Sequence, residues 1–157
     1  CRTLLDRASH APTPAAIPVL VKAISSDERV VRGLVRFEEA AVPALVDGIR
    51  QGASAEDTQA SLVSLRRIAD KHPEDLSTSS RSAMVEVTLQ CLKGQQQLSV
   101  VLRAIDLAQG LHDQRLNARL TAIVEAASAK DADLALGDPE SFARVQAAAK
   151  LALPKER

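Results

Sequence analysis

The chain has 157 residues, and its composition argues against several classes of protein before any motif is considered. Lys plus Arg and Asp plus Glu number 20 each, so the net charge is zero, whereas a general nucleic-acid binder usually has a basic excess. Trp and Tyr are absent and only Phe37 and Phe142 are aromatic, which leaves no platform for stacking bases. The sequence contains no apolar run of about 18 residues, the length that a membrane-spanning helix needs.

The length suits one domain spanning residues 1–157, large enough to bury a hydrophobic core. Helix-favouring Ala, Leu, Arg, Glu and Gln dominate the sequence, while Thr and the aromatic residues are scarce. The composition therefore predicts an all-α fold.

The chain begins with Cys1, followed by a segment that favours a short helix or an ordered tail. A processed bacterial lipoprotein begins with a cysteine that carries lipid, so Cys1 is a candidate lipid-attachment residue. This reading predicts a protein tethered to a membrane of the bacterial envelope. The helix-prone segment at 2–9 is unlike the flexible tether of most lipoproteins, and the alternative is a cytoplasmic module of a longer chain.

Two similar phrases follow, AAIPVLVKAIS at 15–25 and AAVPALVDGIR at 40–50, with an offset of 25 residues. Such an offset indicates a structural repeat. Proline fits the first helical turn, where its missing N–H would have no intrahelical partner, so Pro18 and Pro43 should open short helices. The residues expected in the core from these two helices are Val19, Leu20, Ile24, Leu45, Val46 and Ile49.

Between the phrases, a helix is expected with Ser26 or Asp27 as its N-cap. Its apolar side has helical spacing and comprises Val30, Val31, Leu34, Val35 and Phe37.

Longer helices are predicted over 51–135. Ser54 is expected to cap the first, with Asp57 three residues on, and Gly94 to stop the second, in which Cys91 should be a buried thiol. The segment 130–137 is typical of a linker, and a last helix over 138–153 should begin with Asp138 as its cap. The total is about seven or eight helices with no credible strand, which favours stacked antiparallel pairs over the alternative of a compact bundle.

The stretch RFEEAAVPALVDGI resembles the HEAT repeat, an armadillo-type unit, and particularly the short repeats of phycobilin-lyase-type proteins. Such repeats tend to read Asp, then Val-Arg, then Ala-Val-Pro-x-Leu, and here Asp27 precedes Val31 and Arg32, with 41–45 following. The match is best over 15–50, while 51–135 share only helix length and apolar spacing. The resemblance implies a short right-handed α-solenoid, in which Arg32 pairs with Asp27 or a neighbouring turn. It implies no particular function, because one fold hosts many.

Five arginines are the candidate partner-binding residues. Arg115 and Arg119 are four residues apart and share a helix face, and in a solenoid the corresponding helices would line one surface. They could form a stripe for an acidic partner or phosphates, or a solvated face balanced by nearby acidic residues. The arginines are Arg66, Arg67, Arg103, Arg115 and Arg119, and the balancing residues are Glu56, Asp57, Asp70, Asp106 and Asp113.

Catalytic and metal-binding patterns are missing from the sequence. His10, His72 and His112 are far apart, and no metal-ligand spacing occurs. Glu38 and Glu39 are adjacent and should diverge, so an acid–base pair is not expected. No enzyme activity, cofactor or metal is therefore predicted.

The sequence as a whole favours a non-catalytic scaffold for protein–protein interaction, as a subunit of a larger assembly and with a lipid anchor if Cys1 is modified. The alternative is a helical repeat that binds nucleic acid or phosphate through its arginines, and an enzyme or enzyme fragment ranks third. The partner's identity is not encoded in any motif.

Overall fold

The computed structural model describes residues 13–71, 73–74 and 76–154 of the chain. This part of the chain confirms the all-helical prediction, and its only β contact is an isolated bridge between Gly94 and Leu134. Short 3-10 turns at Pro14–Ala16 and Glu38–Ala41 lead into the first and third α-helices. The eight α-helices described are α1 (Ile17–Lys22), α2 (Glu28–Val35), α3 (Val42–Arg50), α4 (Ala55–Lys71), α5 (Thr78–Cys91), α6 (Leu98–Leu111), α7 (Gln114–Glu125) and α8 (Pro139–Ala152).

The contacts divide the chain into two compact units, Cys1–Met84 and Val85–Arg157, hereafter the N-terminal and C-terminal units. In the N-terminal unit, α1 packs on α2 and α3, and both of these pack on α4. In the C-terminal unit, α8 packs on α6 and α7. No described helix combines the length and the hydropathy that crossing a membrane would require.

The helix starts follow the predicted capping chemistry. Pro18 and Pro43 are the second residues of α1 and α3, where no intrahelical N–H is needed. Asp27 caps α2, since its Oδ1 accepts the Arg29 N–H at 2.8 Å. Ser54 Oγ accepts the Asp57 N–H at 3.1 Å at the start of α4, and Asp138 Oδ1 accepts the Ser141 N–H at 2.7 Å at the start of α8.

The core of the N-terminal unit contains the predicted residues with one clear exception. Val19 is 58% exposed, so its assignment to the core was wrong. The inner face of α1 is formed by Ile17 and Leu20 together with the following Ile24, and at 3.6 residues per turn Val19 points away from this face. Val35 and Phe37 are half-buried. The buried residues on the predicted faces are Leu20, Ile24, Val30, Val31, Leu34, Leu45, Val46 and Ile49, and α4 adds Leu62, Leu65, Ile68 and Ala69 to the core.

The C-terminal unit corrects the linker predicted at 130–137. Ala132 and Leu134 are buried in this segment, and Gly94 exchanges backbone hydrogen bonds with it. The Gly94 N–H donates to Asp133 O at 2.8 Å, and the Ala135 N–H donates to Gly94 O at 3.0 Å. Gly94 has φ +68°, a conformation that glycine adopts at little cost. The segment is therefore a packed part of the unit.

Cys91 is confirmed as a buried thiol, with 2% of its surface exposed. Burial raises the pKa of its thiol to about 11, because the thiolate would be poorly solvated. Cys1 lies outside the described residues.

Candidate functional site

The two predicted arginines on α4 both make ion pairs within the N-terminal unit. Arg66 Nη1 lies 2.5 Å from Asp70 Oδ1, one helical turn further along α4. Arg67 Nη1 lies 2.6 Å from Glu28 Oε1 at the start of α2. The Arg66–Asp70 pair joins one of the candidate arginines to one of the acidic residues named as balancing them.

The three arginines of the C-terminal unit differ from one another. Arg115 Nη1 lies 2.5 Å from Glu86 Oε1, and its Nε lies 3.4 Å from Asp113 Oδ1. Arg103 is exposed and has no ion-pair or hydrogen-bond partner within the described part of the chain.

Arg119 holds the backbone of the C-terminal unit together. Its Nη2 donates to Leu92 O at 2.5 Å and to Ala132 O at 2.6 Å, and its Nε donates to Leu92 O at 3.0 Å. Burial lowers the pKa of this guanidinium, and the charge of Asp133 partly opposes that effect. A residue predicted as a candidate binding residue therefore has an internal structural contact.

The contact expected between Arg32 and Asp27 is not formed. Arg32 is exposed, and its guanidinium has no partner among residues 13–71, 73–74 and 76–154. Asp27 caps α2 through the Arg29 N–H, which uses one of its carboxylate oxygens on its own helix.

A pocket of about 220 Å³ lies in the N-terminal unit beside the turn that precedes α3. We call it the Glu38–Glu39 pocket. It has an apolar part and three charged side chains, and it is lined by Phe37, Glu38, Glu39, Ala40, Ile68, Lys71 and Leu76.

Glu39 is fixed at this pocket by the start of α5. Its Oε1 accepts the Ser77 N–H at 3.1 Å, the Ser80 hydroxyl at 2.6 Å, and the Ser77 hydroxyl. These hydrogen bonds lower the pKa of the Glu39 carboxyl, the Ser77 hydroxyl having the largest effect. The side chain is therefore an ionised carboxylate in a defined position.

Glu38 approaches the pocket from a strained backbone. Its φ is 51°, in the left-handed region that non-glycine residues rarely adopt. Its Oε1 accepts a hydrogen bond from Lys71 Nζ at 2.8 Å, at the last residue of α4. The two adjacent glutamates contact different helices, as expected for diverging side chains, yet both line one pocket. No sequence signal marks this, because the partners of Glu38 and Glu39 lie 33 and 38 residues further along the chain.

A second pocket of about 380 Å³ lies against α1 and α3 of the same unit. Pro18 and Val21 contribute apolar surface, and Lys22, Asp47 and Asp57 give the lining a net charge of −1. The Asp57 carboxylate already accepts a hydrogen bond from the Ser54 hydroxyl.

No group of three or more His, Cys, Asp or Glu side chains in the described ranges is placed to hold a metal ion. His112 follows α6 and is exposed, with φ 49°. His10 and His72 lie outside the described residues.

Known proteins give no family for this chain, because no family model, curated protein or solved structure matches it.

Proposed function

We propose that the protein is a non-catalytic scaffold for protein–protein interaction and that the Glu38–Glu39 pocket belongs to its binding surface. The observation that supports this most is the carboxylate of Glu39, held by three hydrogen bonds beside an apolar wall. A group held in its binding orientation loses little entropy when a partner docks. The pocket has a volume of about 220 Å³, whereas sites for drug-sized ligands and cofactors have roughly 300–1,000 Å³. Its size therefore suits a side chain of a protein partner better than such a ligand.

A binding role fits Glu39 better than acid–base catalysis does. A general acid or base works best when its pKa lies near the operating pH. The hydrogen bonds to Glu39 lower its pKa further below neutrality. The group is thereby suited to accept hydrogen bonds or to attract a cation.

The alternative function, binding of nucleic acid or phosphate through arginines, has less support. Arg66, Arg67 and Arg115 would each have to exchange a carboxylate partner for phosphate, and Arg119 would have to leave backbone carbonyls. Such binding would weaken steeply with added salt.

We also propose the finer fold, a short right-handed solenoid of antiparallel HEAT-like pairs. The repeated proline-opened helices α1 and α3 support it, as does the packing of α2 and α3 on the longer α4. A scaffold of this kind would act as one subunit of a larger assembly.

Site-specific photo-crosslinking tests the proposed function. The photoreactive residue benzoyl-phenylalanine replaces Ala40, which is exposed and lines the pocket. The matched control carries it at Ala147, an exposed alanine of α8. Circular dichroism first establishes that both variants are folded.

On irradiation in the native host, the probe at Ala40 should give a discrete protein adduct. The yield of this adduct should fall when an excess of the protein without the probe is present. The control should not give that adduct. The proposal fails if position 40 gives no adduct or the same adducts as position 147. A nuclease-sensitive adduct would favour the nucleic-acid alternative.

A further inference from the structure

We propose that the Glu38–Glu39 pocket receives a lysine or arginine side chain of the protein partner, an inference that rests on the proposed function. The pocket combines a negative charge, a carboxylate oxygen without a partner and an apolar wall. These three features match the positive charge, the N–H donors and the methylene stem of a long cationic side chain.

The charge of the lining groups favours a cation. Glu38 and Glu39 contribute two carboxylates, and Lys71 contributes one ammonium group that already pairs with Glu38. The lining side chains therefore have a net charge of −1, which would repel phosphate or a carboxylate and attract an ammonium or guanidinium group.

Glu39 provides a specific acceptor for that cation. All three hydrogen bonds that the carboxylate receives end on Oε1. Oε2 has no hydrogen-bond partner in the described part of the chain. An apolar side chain that covered this oxygen would offer it no donor, at a desolvation cost, whereas a lysine or arginine would supply one.

The apolar wall suits the stem of such a side chain. Phe37, Ile68 and Leu76 line the pocket. Lysine and arginine pack their methylene groups on apolar surface while the charged end stays near polar groups. A cation over an aromatic ring gains a further attraction, for which Phe37 is the available ring.

The test uses the folded 157-residue chain labelled with ¹⁵N and titrated with Nα-acetyl-arginine amide and Nα-acetyl-lysine amide. Nα-acetyl-citrulline amide is the probe's control, because it has nearly the shape of the arginine compound without the charge. The variant Glu39→Gln keeps one oxygen to accept from Ser77 and Ser80 but replaces the other oxygen by an amide donor. Glu125→Gln, at an exposed carboxylate in the C-terminal unit, controls for the loss of one negative charge.

At least one cationic probe should shift the backbone amides of residues 37–40, 68 and 71, with a Kd of about 1–10 mM for a single side chain. Glu39→Gln should weaken that binding about fivefold or more, and Glu125→Gln should leave it unchanged. Equal shifts with the citrulline compound, or unchanged binding in Glu39→Gln, would overturn the inference. The Ser77 amide signal in Glu39→Gln shows whether the start of α5 keeps its place. If it does not, Lys71→Met, which removes the competing ammonium, should tighten binding, and weaker or equal binding would then overturn the inference.

The two proposals fail in different ways. A protein adduct from position 40, together with no binding of either cationic probe, would contradict the binding of a basic side chain but support the scaffold function. Binding of the arginine or lysine probe with no adduct from position 40 would support the pocket chemistry and contradict the scaffold.

Discussion

The two units differ in how their polar side chains join distant parts of the chain. In the N-terminal unit the long-range contacts are mainly between side chains, as in the Arg67–Glu28 and Lys71–Glu38 ion pairs. The C-terminal unit also has such a pair, Arg115–Glu86, but there Arg119 additionally donates to the carbonyls of Leu92 and Ala132. Gln146 Nε2 likewise donates to Ile123 O, Val124 O and Ala126 O, which include the last carbonyls of α7.

This difference has an energetic consequence. Ion pairs between exposed side chains contribute about 0–1 kcal/mol and weaken with salt. A half-buried guanidinium on backbone carbonyls contributes more, because removing it leaves acceptors without donors. We therefore expect the surface of the N-terminal unit to tolerate changes of charge, as a binding surface should, while the C-terminal unit depends on a few fixed polar contacts.

The largest effect is expected from a charge in the core of the N-terminal unit. Leu45 is fully buried, so Leu45→Asp should cost more than about 4 kcal/mol and unfold this unit. Val19→Asp, at the exposed position of α1, should change the free energy of unfolding by less than about 0.5 kcal/mol. Urea denaturation followed by circular dichroism measures both, and similar losses in the two variants would contradict the register of α1.

A smaller loss is expected at the backbone contact of the C-terminal unit. Arg119→Gln should lower the free energy of unfolding by about 2–3 kcal/mol, because it removes charged donors from Leu92 O and Ala132 O. Arg103→Gln removes an exposed arginine without a partner among the described residues, and should cost less than about 0.5 kcal/mol. Equal stability of the two variants in urea would remove the contrast between the units.

The raised pKa of the Cys91 thiol predicts that the protein loses stability at alkaline pH. Its folded pKa, about 11, is raised above the ordinary value of 9.0, so folding favours the protonated thiol. This contribution is fully present below the ordinary pKa and is lost as the pH rises through the folded pKa. Relative to Cys91→Ala, the wild type should lose about 2 kcal/mol of unfolding free energy from pH 9 to about pH 11.

The comparison of urea midpoints against pH is simplified because the chain has no tyrosine. Every other ionisable group is present in both proteins, so the effects of those groups largely cancel in the difference. Parallel pH profiles of wild type and Cys91→Ala would contradict a buried, protonated thiol.

The smallest effect is expected at the exposed ion pair of the N-terminal unit. Arg67 and Glu28 have side chains that are 43% and 55% exposed, so Arg67→Gln should cost at most about 0.5 kcal/mol. The difference from wild type should shrink further in 1 M NaCl, where the Debye length is about 3 Å. A loss as large as that of Arg119→Gln, unaffected by salt, would show that the surface ion pairs contribute strongly to the stability of the N-terminal unit.

Local chemistry explains which parts of the fold were predictable. Asp27, Ser54 and Asp138 act within a few residues of themselves, so their capping roles are visible in sequence. Val19 was misplaced because five of the six residues of α1 are apolar, so no alternation with polar residues marks its inner face. The segment 130–137 was misread because polar residues conceal the two buried positions, Ala132 and Leu134.

The sequence by itself determined the helical fold, the starts of the helices and most of the core, because helix propensity, capping and apolar spacing act over about one to four residues. Only the tertiary structure decided the use of the charged residues. It placed Arg119 on backbone carbonyls and joined Glu38 and Glu39 to residues 33 and 38 positions away. Such contacts depend on which helices pack together, and no local pattern records that choice.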